Sequence, residues 1–399
     1  TAVISVKTVD GNFIASAVIT VIPSVSTAAE LNAALADASV SNIYSTANIT
    51  GINMMTINRA VTIDMNGFNI SGNPTSGTAF KLVSGGDLTL DNTSETLSRL
   101  LVGTGESDEA MYEGIRISRS GKATVKANVS IETGTPVFIL GNGTAGSAQL
   151  DVYGKLVVSA PIDENNAYAV IMGNGTAGYG GTVINIHNGA EILSTYGTAM
   201  YIPQDGVVNV YGGTITGTSA IAIKSGTLNI SGGTLTANGE ATIPTGGFSN
   251  GVNASGCAIQ IESNDAYSGN IIANITGGTI ISQNGCALYE YLDAGNTDTE
   301  VQSINISGGT FQSGAAFGDI LISSQLDASG KLVIAEGVSL RQSTTVATAA
   351  ELAAAIADAS VSNIYLTANI TDIDAMIIDR VITIDMNGFN ISGNPTSGT

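Results

Sequence analysis

The phrase MNGFNISGNPTSGT stands at residues 65–78 and again at 386–399, and it is the end of a longer repetition. Thr27–Thr78 can be set over Thr348–Thr399 at a constant offset of 321 without a gap; of the 52 positions ten differ, leaving 42 identities. Most differences are mild, as in Leu35/Ile356, Val61/Ile382, Ala60/Val381 and Asn58/Asp379. Convergence does not produce this, so the chain carries a duplicated unit of which the second copy holds the opening portion. Whatever fold the first copy adopts must be one that can start again in the same chain. The sequence therefore reads as a window onto a longer repetitive protein, or as a unit that joins copies end to end.

Both copies open on a helix. TAAELNAALADAS (27–39) and TAAELAAAIADAS (348–360) place Thr27 and Thr348 as N-caps with Glu30 and Glu351 three residues on, the spacing of a reciprocal capping box. Leu31, Ala34, Leu35 and Ala38 form one narrow apolar face, repeated by Leu352, Ala355, Ile356 and Ala359. The first helix is expected over 27–38.

Strands follow. AVTIDMNGFNISG alternates Val61, Ile63 and Met65 with polar residues, turns at Asn66-Gly67 and resumes with Phe68 and Ile70. Later segments repeat a strand, a Gly-Gly turn and a second strand: VVNVYGGTITG (207–217), TLNISGGTLTA (227–237), IANITGGTIIS (272–282) and INISGGTFQS (304–313). A third apolar strand comes after most of them, as in AMYIP (199–203), AIAIK (220–224) and CAIQI (257–261). Three short strands per cycle, in about ten cycles of roughly 20 to 45 residues between Asn42 and Arg341, are the pattern of a coiled β-solenoid. One cycle cannot bury its inward side chains alone; stacked cycles bury Leu228, Ile230 and Leu235 against their counterparts about 4.8 Å above and below.

Composition narrows the function. Asp+Glu 33 against Lys+Arg 13 gives a net charge of −20, which repels phosphate and anionic lipid, so nucleic-acid binding is excluded. With 43% hydrophobic and only 12% charged residues the chain folds. No apolar run reaches the roughly 18 to 20 residues that span a bilayer, so no membrane insertion is expected. Two cysteines make no disulfide framework, and an acidic, Ser/Thr/Asn/Gly-rich chain fits a cell surface better than a cytosol.

The capped helix, the phrase NIYSTANIT…AVTIDMNGFNISG and cycles of the LNISGGTLTA type together resemble the right-handed parallel β-helices of the pectate-lyase-like superfamily. The likeness is greatest to non-enzymatic members in bacterial and archaeal surface and S-layer proteins. It covers about residues 26–343 and restarts at 346. The resemblance implies that the helix closes the open end of the apolar core. Residues 1–23, alternating strands around VDGN with Pro23 as a stop, are similar to the closing hairpin of a bacterial Ig-like surface domain; the alternative is the last turn of a preceding solenoid. The expected architecture is all-β: 1–23 a terminal hairpin, 24–344 a right-handed parallel β-helix of about ten coils, and 345–399 the cap and first coils of a second β-helix.

Catalysis in this superfamily needs a basic residue beside clustered carboxylates, or paired acids on one face. The bases here are scattered; Arg116 and Arg119, near the acidic stretch GESDEAMYEG (105–114), are the nearest approach to a constellation, and a solvated loop explains them as well. Trp is absent, so the chain is read as no enzyme. No cofactor is expected except a possible Ca²⁺ held by Glu106, Asp108 and Glu109, whose alternative is a merely solubilising acidic loop. His187 has no partner His or Cys by spacing and reads as a strand residue beside a turn. Cys257 and Cys286 open equivalent strands of successive cycles, in the column of Thr198 and Ser219; stacked side chains would stand about 4.8 Å apart, beyond disulfide spacing, so free thiols are expected. Acceptor sequons occur at Asn48, Asn69, Asn128, Asn229, Asn274 and Asn305, although NIS and NIT are also natural wording for such strands.

The expected role is that of an extracellular structural protein, a module of a cell-surface fibre, stalk or S-layer whose partner is itself, end to end. The alternatives are an adhesin gripping a glycan or host protein through the long insertions at about 92–113 and 237–256, and, less favoured, a polysaccharide lyase.

Overall fold

The computed structural model describes the chain apart from residues 1, 12, 20–21, 104–111, 160–166, 174, 177, 243–255, 264–266, 292–298, 315–318, 323–338, 359–360, 381, 387 and 394–399. The chain winds into a right-handed parallel β-helix. Each coil contributes one strand to each of three sheets, of eleven, twelve and ten strands, so every neighbour within a sheet comes from the coil before or after. Among the described residues the ten-stranded sheet, which lies wholly in the first copy, has one strand from each of ten successive coils, in line with the roughly ten cycles of the sequence.

One coil shows how the residues dictate this path. Gly226–Ile230 lies in the eleven-stranded sheet, Thr234–Ala237 in the twelve-stranded and Ile259–Glu262 in the ten-stranded. Strand periodicity sends alternate side chains inward, so Leu228 stacks on Val208 below and Ala273 above, and Leu235 on Ile215 and Ile280. All six are fully buried. The Gly-Gly corners are forced by crowding as much as by conformation. Gly233 has φ +86°, and a Cβ on Gly232 would lie 2.5 Å from the carbonyl oxygen of Tyr211 in the coil below. Asn66-Gly67, with φ 49° and 80°, is likewise a corner between two sheets and not a hairpin.

On the outside of the eleven-stranded sheet, the residue between two inward ones is asparagine in five coils. Asn305 donates to Asn274 (2.8 Å), Asn274 to Asn229 (2.8 Å), Asn229 to Asn209 (2.9 Å) and Asn209 to Asn185 (2.9 Å); Asn185 donates to Asp151 (3.0 Å). Each inner amide thus gives a proton upstream and accepts one from downstream, so the ladder pins the register of six stacked strands. The described bases also reach between coils: Arg99 to Glu132 (2.9 Å), Lys122 to Asp151 (3.3 Å) and Lys155 to Glu191 (2.6 Å).

Helix α1 (Ala28–Ala36) closes the first end of the stack by burying Leu31, Ala34 and Leu35 against the core. Its N-cap departs from the expected reciprocal box. Thr27 accepts from the Glu30 amide as expected (3.2 Å), but the Glu30 carboxylate reaches one residue further back and accepts from the amide (2.7 Å) and hydroxyl (2.9 Å) of Ser26. The bond from the Ser26 amide is the main cause holding this carboxyl below its ordinary pKa. In α2 (Ala349–Ala357) the box is complete between Thr348 and Glu351.

The last turn of α1 carries no basic residue, and its orphan carbonyls are met from a distance. Arg59, about one coil further along the chain, donates Nη2 to the carbonyls of Ala34 (3.2 Å), Leu35 (3.0 Å) and Asp37 (2.9 Å). Arg380 repeats the clamp on α2, donating to Ala355, Ile356 and Asp358. Ahead of the solenoid, Ala2–Lys7 and Ile14–Ile19 pair antiparallel in a two-stranded sheet of their own, with Val9, Phe13 and Ile14 exposed.

Candidate functional site: the junction of the copies and the outer face of the ten-stranded sheet

Two places stand out from the regular stack. The first is where the copies meet. Strand Ser339–Val346 straddles the boundary: Ser339, Leu340 and Arg341 pair with Thr310, Phe311 and Gln312 of the first copy. After a shift in register at Gln342/Ser343, Thr344, Thr345 and Val346 pair with Ile364, Tyr365 and Leu366 of the second. The backbone ladder therefore passes the boundary unbroken, while the core does not. A separate apolar cluster forms beyond it around Val346, Leu352, Ala355, Ile364, Leu366 and Ile370, with α2 as its lid. In the first copy Ser24–Val25, Asn42–Ser45 and Ala60–Asp64 open the eleven-stranded sheet; in the second their counterparts, the end of Ser339–Val346, Val361–Leu366 and Thr383–Asp385, extend the twelve-stranded one.

The two copies also show what stacking does to one set of side chains. Ile57 and Met65 are 2% and 0% exposed with coils above them, whereas the matching Ile378 and Met386 are 51% and 39% exposed. Residues 331–338, which lead into strand Ser339–Val346, lie outside the described residues.

The second place is the outer face of the ten-stranded sheet, which is not the solvated surface that strand alternation suggests. Phe138, Ile171, Tyr168, Tyr201 and Tyr267 form a buried cluster there, separate from the main core. The Tyr168 and Tyr201 rings stack at 4.9 Å, and the hydroxyls of Tyr201 and Tyr267 are hydrogen-bonded. Beside them lies an ion pair with no exposure at all, Lys224 Nζ to Glu262 at 2.8 Å, the ammonium 5.8 Å from the centroids of both the Tyr201 and Tyr267 rings. Two fully desolvated charges survive only paired, and the tyrosine faces add cation–π attraction. The sequence did hold a signal for this pair: aligning AIAIK with AIQIE puts Lys224 and Glu262 in one column of adjacent coils.

Arg116 and Arg119 sit at the near end of this face. Arg116 binds Glu113 at 2.9 Å and lies 4.6 Å over the Phe138 ring; Arg119 donates to the Tyr179 hydroxyl at 2.7 Å. Burial pushes the Glu113 carboxyl above its ordinary pKa, which Arg116 and a bond from Thr78 only partly offset. Both guanidiniums are thus engaged by side chains of the fold.

The remaining sequence candidates fall apart in space. Glu106, Asp108 and Glu109 lie outside the described residues, and among the described residues no group of three or more His, Cys, Asp or Glu side chains is placed to hold a metal ion. His187 stacks on Tyr153 at 4.0 Å and bonds Asp151 at 3.1 Å. Burial alone would raise the Asp151 carboxyl, but bonds from His187, Asn185 and Gln149 and the charge of Lys122 hold it below its ordinary value.

Asn48, Asn128 and Asn305 are exposed; Asn69, Asn229 and Asn274 are half-buried, with the last two and Asn305 donating their side-chain amides along the ladder. Both cysteines are free and fully buried, but their sulfurs converge to 2.9 Å, closer than the column spacing foretold. No described helix is long and apolar enough to cross a membrane.

No protein-family model matches the chain, and no curated protein matches it. Among solved structures, L. reuteri 53608 SRRP aligns with a TM-score of 0.36 at 16% identity, over 94% of this chain and 100% of that one.

Proposed function

We propose that the chain is an extracellular structural protein whose β-helix modules join end to end into a stiff rod at a cell surface, as in a fibre, stalk or S-layer. The observation that carries this reading is the straddling strand Ser339–Val346, which is bonded to both copies. A joint made of continuous backbone ladder resists bending in a way that a flexible linker does not. The cap-and-clamp set, helix plus Arg59 or Arg380, is built the same way twice, which suits a module made to be strung in series. The protein acts mechanically and catalyses nothing: the bases nearest to a constellation are committed to Glu113, Phe138 and Tyr179.

Negative-stain electron microscopy of the purified chain tests the reading. Straight particles or filaments with an axial repeat of about ten coils, on the order of 50 Å, support it. Particles that hinge between two lobes count against it.

A second reading, an adhesin, would grip a glycan or host protein through the long insertions at about 92–113 and 237–256. Saturable retention of the rods on a glycan array, lost when the 237–256 insertion is shortened, would favour that reading.

A further inference from the structure

Cys257 and Cys286 open the strands of the eighth and ninth coils, 29 residues apart in the chain and adjacent in the stack. Both are fully buried, and their sulfurs lie 2.9 Å apart, inside the contact distance of two unbonded sulfur atoms. The backbone holds them together: Ala258 donates to the Cys286 carbonyl at 3.1 Å and Ile259 to that of Ala287 at 2.9 Å. Small polar residues fill the same column in earlier coils, Thr198 and Ser219, so nothing in the packing requires sulfur there. A closure of roughly 1 Å brings the pair to bonding length.

We propose that Cys257 and Cys286 are a cross-coil staple: they close into a disulfide when the chain folds in the presence of a disulfide oxidant. The Cys257 thiolate attacks the oxidant's S–S bond, forming a mixed disulfide and releasing one thiolate. Cys286 then attacks the Cys257 sulfur and releases the second. The chain loses two protons and two electrons, and the oxidant leaves as two thiols. Because neither sulfur is exposed in the folded stack, the exchange takes place before the two coils have closed on each other.

The position gives the staple a purpose. It lies toward the end of the first stack opposite α1, and the eighth coil contains the long insertion that includes residues 243–255. A coil that must close a long loop gains most from a covalent tie to its neighbour. The supply of oxidant rests on the extracellular reading above; the chemistry of the pair does not.

The test is to unfold and reduce the purified chain, refold it in a buffer of oxidised and reduced glutathione, then denature it without reductant and add iodoacetamide. The expected result is a monomer lighter by two hydrogens, unalkylated, whose tryptic peptide 225–331, which holds both cysteines, is itself two hydrogens lighter than its reduced form. Two alkylated cysteines in chains that have regained their β-sheet circular dichroism would overturn the proposal, as would disulfide-linked dimers on a non-reducing gel. The same alkylation applied to chain taken directly from its source cells reports separately on location. A pair that is reduced there but closes in glutathione supports the staple and counts against the extracellular reading.

Discussion

At the scale of single residues the duplication works as an internal control. Position 45 is serine and its counterpart 366 is leucine, and both are fully buried. The Ser45 hydroxyl has no hydrogen-bond partner, so it bears a desolvation cost that Leu366 avoids. Ser45→Leu is expected to raise stability by about 1–2 kcal/mol, read as a higher urea midpoint with an unchanged slope.

A second residue gives a pH dependence. Burial lifts the Asp319 carboxyl to about 6, while its Oδ1 accepts from the Ser313 amide at 2.7 Å and its carbonyl accepts from Leu288. The folded state thus favours the protonated form, so this contribution is complete below the ordinary carboxylate range and is lost as pH rises through about 6. Amide exchange at Leu288 and Ser313, corrected for intrinsic rate, should be slower at pH 5 than at pH 7.5, and Asp319→Asn should flatten the difference.

At the scale of elements, much was legible in the sequence because its cause is local. The capped helices, the Gly-Gly corners and the three-strand cycles follow from side-chain spacing and φ, and all reappear in the fold. What stayed hidden was pairing between coils. The Arg59 clamp needs the geometry that brings chain position 59 to the end of a helix finishing at 36. The one clue was that Arg59 and Arg380 are identical between copies whose neighbouring positions 56, 58, 60 and 61 all differ.

The same holds for the asparagine ladder, whose NIS and NIT wording reads as sequons until the strands are stacked. The thiol pair was misjudged in distance because column spacing fixes backbones and leaves side chains free to lean together. Arg59→Ala should leave three helix carbonyls without their donor and cost about 2 kcal/mol, with amides of the α1 C-terminal turn exchanging faster. Arg59→Lys, which keeps the charge but not the fork, should recover only part of this.

At the scale of the whole molecule, the two stacked cores, the main one of the first copy and the smaller one under α2, matter more than the number of strands. Solenoid stability is carried by contacts between neighbours, so cooperativity is limited to segments that share a core. Two cores divided by α2 and joined by one strand should unfold in two steps. The cluster around Leu352, Ala355 and Ile364 is expected to go first, since it is small and already leaves Ile378 and Met386 exposed. Hydrogen-exchange mass spectrometry at rising urea should show peptides of 349–366 exchanging in full while those of 78–91 remain protected; a single concerted transition would mean that the straddling strand couples the cores fully.

That strand has a longer-range consequence. It hands the twelve-stranded sheet of one copy to the place that opens the eleven-stranded sheet in the other, so the cross-section of the second copy is turned by one of its three sides. Repeated along a series, such a turn of about a third of a revolution would bring any lateral face back to the same side only at every third module. Neighbouring rods, or a flat wall beneath them, would then meet like surfaces at intervals on the order of 150 Å, a spacing set by the handover of a single strand.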